Sequence, residues 1–480
     1  MKVGFITLGC DKNTVDTERY LAELADYGGE YTGVLDDADV IIVNTCGFID
    51  AAKKESIDAM IDAARYKNTG SCQAVVGVGC MVERHKAELI EALPEIDVFL
   101  GTSESGRLAQ ELAQRGIMGL DPVTLHPGVR VYAGDLPHVG YLKISEGCDH
   151  GCAFCAIPLM RGRHRSFALG ELIHEAQLLE LQGAREVNLV AQDLAHYGRD
   201  RRDGVGLPEL LEALLAETSI PWLRMLYLYS TGITGRLLEV LAREPRIVPY
   251  LDMPMQHASD EVLARMRRPE RKHTIRDRVS RFREAVPGVA IRTTCIVGFP
   301  GETELQFDEL LEFIEEIQFD RVGAFTYSPQ DGTAAAALAD DVPDALKRER
   351  LERLTELQRS ITSERYDSRT GSRVQLIVDR TSGNYVAEHE IFRATHQSRF
   401  RAGSVGRLPW QADDVDGVTY VDQSLPSGTM AEVIVDEVVD DYDFRASVVR
   451  VIDSVGPSRP EALPRRRLPM AMASAGTFGR

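Results

Sequence analysis

The chain has no run of about eighteen apolar residues, so it offers nothing that could cross a bilayer as a helix. Its opening, MKVGFITLGC, goes directly into a strand-like apolar run without the layout of a secretory leader, so a cytoplasmic protein with no membrane partner is expected. Positive charge is short: 55 basic residues stand against 74 acidic ones, a net charge of -19. Such a field repels phosphate backbones and disfavours a broad nucleic-acid surface, so direct nucleic-acid binding is not expected to be primary. It suits a basic partner, or simply keeps a cytosolic protein soluble. Cysteine is sparse, with eight in 480 residues. In a reducing compartment, clustered cysteines mean metal or catalysis rather than disulfides. No repeat is present beyond an alternation of strand and helix patterns.

What is present is ordinary globular composition, 44% hydrophobic and 27% charged, in a chain too long for one domain. Residues 1–115 alternate apolar runs (KVGFITLG, DADVIIVNTC, QAVVGVGC, IDVFLG) with amphipathic helical stretches, which predicts a small parallel α/β domain. Residues 135–335 repeat the alternation six times, at VGYLKIS, EVNLVAQ, WLRMLYLY, VPYLDMPMQ, VAIRTTCIVGF and RVGAFTYS. Six units fall short of the eight of a closed barrel, so a partial (β/α)6 barrel is expected. Residues 343–369 read as a charged helical connector, and 371–452 as short strands of a small OB-like β-barrel. The tail, 453–480, is rich in Pro, Arg and small residues and is expected to be disordered.

Cys10, Cys46 and Cys80 are far apart in sequence, yet each ends an apolar strand. In a parallel sheet those three ends emerge at one edge, the edge where open α/β sheets bind ligands. Single buried core cysteines are common, but three at one topological position are not explained that way. Cys72 lies eight residues before Cys80. At about 3.3 Å per strand residue that puts it roughly 25 Å away, at the opposite edge. Cys295 lies inside an apolar strand and reads as a packed core thiol.

The second trio sits in SEGCDHGCAFCAIPLMRGRHRS, where Cys148, Cys152 and Cys155 are spaced C-x3-C-x2-C in the first β/α loop of the barrel. Thiolates suit zinc or iron–sulfur. The spacing alone leaves both open, and His150 or His164 could complete a zinc shell. The location favours iron–sulfur, because active sites form at the C-terminal face of such barrels and a structural zinc gains nothing there. Three ligands on a four-iron cluster leave one iron open, as a catalytic metal keeps a position for its substrate.

C-x3-C-x2-C with the aromatic Phe154 before the last cysteine, in the first loop of a partial barrel, resembles the radical SAM enzymes. The resemblance implies that the open iron holds S-adenosylmethionine, whose reductive cleavage yields a 5'-deoxyadenosyl radical that abstracts hydrogen. An N-terminal three-cysteine domain and a C-terminal β-domain (TRAM) narrow the likeness, over about residues 1–450, to the methylthiotransferases. It implies two 4Fe-4S clusters, one on Cys10, Cys46 and Cys80 and the other on Cys148, Cys152 and Cys155. An electron donor is implied as a partner. Gln192, ending EVNLVAQ, and Gly298, in IVGFPGE, lie by resemblance at the cofactor-binding face. For each a plain structural role is the alternative: a turn cap for Gln192 and a strand–helix turn for Gly298.

Within that family the chain resembles the RimO branch, which modifies the β-carbon of an aspartate in ribosomal protein S twelve. The likeness rests on LGCDKNTVDTE, with Lys12-Asn13 where the RNA-modifying branch has Gln-Met-Asn, and on NTCGFIDAAKKESID, CAIPLMRGRHRS, LYLYSTGIT, LDMPMQHASDEVLARMRRP and AFTYSPQDGTAAA. It departs from the pattern at FALG, after RGRHRS, and at VGRLPWQADDVDGVTYV. Charge adds an independent argument. Residues 371–452 carry 8 Arg, no Lys and 13 acids, a net of 8 - 13 = -5. That suits a basic ribosomal protein better than RNA, which wants a basic groove and stacking aromatics. A solvated acidic face is the plainer alternative. The basic run RGRHRS could guide carboxylates or be a solvated loop. Two rival functions remain: methylthiolation of an adenosine beside the anticodon of transfer RNA, and a non-catalytic iron–sulfur or zinc-stabilised binding protein.

Overall fold

The structure, a computed structural model, describes residues 1–123, 130, 136–381, 403–413 and 415–454. The stretch 455–480, most of the expected tail, lies outside the described residues. The fold is α/β, with an N-terminal parallel sheet, a six-stranded parallel half-barrel and a C-terminal closed β-barrel.

The N-terminal sheet has the order β2-β1-β3-β4-β5, with β1 Lys2–Thr7, β2 Glu30–Tyr31, β3 Val40–Thr45, β4 Ala74–Gly79 and β5 Val98–Gly101, all parallel. Helices α1 (Asp11–Ala25), α2 (Asp50–Thr69), α3 (Cys80–Ala92) and α4 (Leu108–Gln114) cover it. Every residue of β3 is buried, as its near-continuous apolar sequence requires of a central parallel strand. Of its two polar residues, Thr45 Oγ1 donates to Val78 O (2.6 Å) and Asn44 Nδ2 to Asn13 O (2.9 Å), while Asn44 Oδ1 has no hydrogen-bond partner among the described residues.

The half-barrel begins with β6 (Val139–Lys143). A short antiparallel pair, β7 (Ser145–Glu146) with β8 (Arg165–Ser166), pinches the cysteine loop at its base, and α5 (Ile157–Arg161) lies inside that loop. Then follow α6 (Leu169–Leu181), β9 (Glu186–Val190), α7 (Leu207–Glu217), β10 (Trp222–Met225), α8 (Gly235–Arg243), β11 (Tyr250–Asp252), α9 (Asp260–Arg265), α10 (Lys272–Ala285), β12 (Ala290–Val297), α11 (Glu304–Ile317) and β13 (Arg321–Thr326). The strands pair in parallel as β6-β9-β10 and β11-β12-β13, and a parallel bridge between Leu223 and Ile247 joins the triplets. The run WLRMLYLY is shorter as a strand than its apolar pattern suggests. It ends at Met225 because Tyr227 takes a left-handed backbone, φ +68°. Helix α11 opens on a reciprocal capping box: Thr303 Oγ1 accepts from the Gln306 N–H and Gln306 Oε1 from the Thr303 N–H.

Helix α12 (Asp344–Asp367) explains where the last domain sits. Its 24 residues span about 36 Å. At its start Arg350 pairs with Glu302, beside the C-terminal end of β12, and at its end Arg365 and Arg369 pair with Asp320, beside the start of β13. The helix therefore runs the height of the half-barrel. It delivers the C-terminal closed barrel, β14-β15-β16-β18-β17 (β14 Arg373–Thr381, β15 Ser404–Arg407, β16 Thr419–Val421, β17 Met430–Val439, β18 Asp443–Asp453), to the N-terminal ends of the parallel strands. Trp222, Val248, Tyr250 and Ala290, at or near those strand starts, share an apolar core with Leu376, Val433 and Phe444. Arg407 ties the two domains by pairing with both Glu186 (2.7 Å) and Asp379 (2.8 Å). The acidic C-terminal stretch is thus carried by a domain docked away from the barrel mouth, and part of its charge is used internally: Asp441 pairs with Arg359 and Glu437 with Arg445.

Candidate metal and cofactor centre

Cys10 caps α1 just after β1, Cys46 follows β3 directly, and Cys80 is the first residue of α3 after β4. The three strands are parallel neighbours, so the thiols share one sheet edge. Gly9, φ +93°, leaves the space that this crowding needs: a Cβ there would lie 3.2 Å from Cys46 Sγ. Asn13 staples the edge, its Nδ2 donating to Leu8 O (2.6 Å) and Thr45 O (3.1 Å). Burial, then the nearby Cys10, pushes the Cys46 thiol up to about 12. Burial likewise raises Cys80 to about 11, with Arg161 opposing it. Burial disfavours the charged form of each thiol, a cost that a bound soft metal would offset by stabilising the thiolate. Cys72 is at the other edge, its Sγ donating to Ala74 O (3.2 Å). Cys295 is fully buried in the barrel core within β12.

The second trio lies in the loop pinched by β7 and β8 at the barrel mouth. Burial and the neighbouring thiols raise Cys155 to about 12 and Cys148 to about 11. His150 and His164 are both occupied by the chain. His150 Nε2 donates to Asp193 Oδ2 (2.8 Å) and its ring stacks on Tyr229 (4.0 Å), while His164 Nε2 bonds Ser166 Oγ (3.1 Å). Ligand atoms of His150, Asp193 and His196 lie within 4.8 Å of one another. Yet Asp193 Oδ1 already accepts from the N–H groups of Ala195 and Tyr229, both at 3.0 Å. Asp193 is therefore a clamp that ties the cysteine loop to the ends of β9 and β10.

The two trios adjoin. Cys80 packs with Ala156, the residue after Cys155, and with Met160 of α5. From the end of α5, Arg161 Nε donates to Cys80 Sγ (3.1 Å) and Nη1 to Asp16 Oδ2 (2.5 Å). Asp16 also pairs with Lys143, and Glu146 accepts from Lys143 (2.6 Å), Arg161 (3.3 Å) and Gln192 Nε2 (3.1 Å). Burial alone would raise Asp16, but Lys143 and Arg161 outweigh it and hold the carboxyl well below its ordinary range. Arg268 reaches Cys152 Sγ more loosely, at 3.8 Å. Each trio thus faces one buried guanidinium, which the sequence reading missed. Only the position of Arg161 at the head of RGRHRS was visible, and that run divides: Arg161 is buried, whereas Arg163 and Arg165 are exposed.

Room for a polar cofactor is marked by buried atoms without partners in the described chain: Ser145 Oγ, both side-chain atoms of Asn188, Gln192 Oε1 and Gln256 Oε1. Gln192, Ser145 and Gln256 lie at or beyond the C-terminal ends of barrel strands. Phe154 packs beside Phe299 and Tyr327. Gly298, φ +70°, is closed over by α12: a Cβ would lie 2.4 Å from Lys347 Cγ, so its freedom serves that helix contact.

A cysteine loop at the mouth of a six-stranded parallel half-barrel defines a radical SAM enzyme, and a family profile described as the Radical SAM superfamily matches residues 142–314. A second profile, described as uncharacterized protein family UPF0004, matches residues 2–101. A ribosomal protein uS12 methylthiotransferase RimO from Anaeromyxobacter sp. (strain Fw109-5) is 42% identical over 92% of this chain and 92% of its own. The RimO of Desulforudis audaxviator (strain MP104C) is 39% identical over 94% of this chain and 98% of its own. The chain belongs to the RimO family of radical SAM methylthiotransferases. Among solved structures, the radical S-adenosylmethionine methyltransferase TsrM from Kitasatospora setae shares the fold, with a TM-score of 0.53 at 14% identity over 75% of this chain and 89% of that one. Membership in this class brings an iron–sulfur cluster and S-adenosylmethionine. No helix among the described residues is long and apolar enough to cross a membrane.

Proposed function

We propose that the chain adds a methylthio group to the β-carbon of an aspartate in ribosomal protein uS12, using two 4Fe-4S clusters. One would be held by Cys148, Cys152 and Cys155, the other by Cys10, Cys46 and Cys80, with Phe154 and Gln192 at the cofactor face and Gly298 serving the α12 contact instead. The observation that carries this reading is the adjacency of the trios, with Cys80 packed on the residue that follows Cys155. When bound, the clusters and S-adenosylmethionine supply hydrogen-atom abstraction and sulfur delivery, chemistry that belongs to the cofactors rather than to side chains.

The chain's own task is placement. The parallel sheet edge and the pinched loop present soft ligands on two rigid elements. Asp16, Lys143, Arg161 and Glu146 lock those elements at one separation. The unpaired polar atoms at the mouth offer hydrogen bonds to a bound cofactor. A fixed gap matters because the target carbon must meet both centres in turn, and misplacement of about 1 Å can cost about 100-fold in rate. The C-terminal barrel, TRAM-like in its five strands, acts in this reading as a remote brace or docking module.

The test is anaerobic incubation with S-adenosylmethionine, reductant, sulfide and either uS12 or transfer RNA, read by mass spectrometry. A gain of about 46 Da on uS12 is expected, a methylthio group replacing one hydrogen. The same gain on transfer RNA, with uS12 unchanged, would overturn the substrate assignment.

A further inference from the structure

Lys12 lies two residues after Cys10, in the first turn of α1, and is only 7% exposed. Its ammonium reaches across to the barrel mouth. Nζ sits 3.4 Å from the centroid of the Tyr227 ring and donates one long hydrogen bond, 3.4 Å, to Ala191 O. Ala191 precedes Gln192, whose Oε1 has no partner in the described chain. Tyr227 is held in place: its left-handed backbone is fixed by its N–H donating to Asp252 Oδ2 (3.2 Å) and its carbonyl accepting from Leu194 N (3.0 Å).

No carboxylate among the described residues lies within ion-pair distance of Lys12. Acids are not scarce here. Asp16, one turn along the same helix face, is given to Lys143 and Arg161, and Glu146 serves both cations as well. A buried ammonium with an aromatic face and one weak acceptor keeps donor capacity and charge unmatched. Its position between the Cys10 edge and the barrel mouth is where a substrate side chain must lie to meet both centres.

We infer that Lys12 binds the side-chain carboxylate of the target aspartate and so selects an acidic residue for modification. This rests on the proposed uS12 reading and deepens it. The ammonium pairs with the carboxylate while the Tyr227 ring backs it, leaving the adjacent β-carbon turned toward the gap between the trios. An amide in place of the carboxylate would leave the charge uncompensated.

The experiment uses the full chain, reconstituted anaerobically, and two synthetic peptides of the uS12 loop, one with the target aspartate and one with asparagine. Affinity is read by fluorescence anisotropy and modification by mass spectrometry. The wild type should bind the aspartate peptide about 10- to 100-fold more tightly, the worth of one charge-assisted contact. In Lys12→Met the preference should shrink to about twofold or less, and Lys12→Arg should restore part of it. The ratio is taken within each protein, so general loss of folding or cluster cancels. The inference is overturned if Lys12→Met keeps the wild-type ratio. Equal weakening of both peptides would then mark Lys12 as a structural lock, and a raised Kd for S-adenosylmethionine would assign it to the cofactor's carboxylate. A wild type that neither binds nor modifies the aspartate peptide would bring down the uS12 reading itself, and this inference with it.

Discussion

Replacing Asp16 by asparagine keeps the shape of the side chain and removes one charge from the lock between the N-terminal sheet and the half-barrel. In the wild type, two cations (Lys143, Arg161) are matched by two carboxylates (Asp16, Glu146). After the change, two largely buried cations share one carboxylate. Breaking a buried pair from one side costs about 3–5 kcal/mol, because the remaining charge is left uncompensated. At a urea dependence of about 2 kcal/mol per molar, a loss of 3 kcal/mol shifts the midpoint of the N-terminal region by about 1.5 M. The probe matters. Both tryptophans, Trp222 and Trp410, sit in the core shared with the C-terminal barrel, at the far end of the molecule. Tryptophan fluorescence should therefore change little while the far-UV circular dichroism transition moves earlier, so two coincident probes become two separated ones. A cycle with Arg161→Gln should be less than additive by about 1–3 kcal/mol. The pH dependence follows from the depressed pKa. A carboxyl held below its ordinary 3.8 contributes stability that is complete above about pH 4 and is lost as pH falls through the folded-state value. The gap between wild type and Asp16→Asn should be largest near neutrality and should close in acid. A variant within about 0.5 kcal/mol of wild type, or a strictly additive cycle, would refute the lock.

Reconstituted protein should hold about eight irons per chain; Cys148→Ala should lose one half, Cys46→Ala the other, and Cys72→Ala neither, and stoichiometric zinc without iron–sulfur absorbance would refute the assignment. Loss of Cys148, Cys152 or Cys155 should abolish reductive formation of 5'-deoxyadenosine, whereas loss of Cys10, Cys46 or Cys80 should spare part of it and stop sulfur transfer, as product analysis by liquid chromatography would show. Asp193→Ala strands His150 and the N–H groups of Ala195 and Tyr229, so cluster retention in the barrel loop should fall under chelator challenge while the N-terminal cluster persists, which the iron–sulfur absorbance would resolve.

The N-terminal trio was legible in sequence because a parallel sheet turns a one-dimensional pattern into a place. A cysteine ending each of three apolar runs lies at one edge whatever the helices between them do, and the same counting sent Cys72 to the other edge. The six strands of the half-barrel were legible for the same reason. The run WLRMLYLY was over-read, because apolarity does not show that the backbone turns left-handed at Tyr227. The lock was not legible at all. Asp16 meets Lys143 and Arg161 across 127 and 145 residues of chain, and no local pattern announces a partner at that distance.

The acidic C-terminal domain shows how composition can be right and its inferred use still depend on geometry. Its charge is real, and it made a basic substrate attractive. Helix α12, however, carries that domain to the strand starts, while both cysteine trios stand at the opposite ends of the strands they follow. A field there can steer a basic protein toward the molecule, but screening over about 8–10 Å at moderate salt prevents it from orienting a side chain in the gap. Orientation must come from charges at the mouth. Of the buried cations found there, Lys143 and Arg161 are matched by Asp16 and Glu146, Arg268 is matched by Glu270, and Lys12 has no acid of its own within ion-pair distance among the described residues. Long-range attraction and short-range selection are thus assigned to opposite ends of the half-barrel. The selective end rests on a residue that, from the sequence, was only the partner of Asn13 in a family signature.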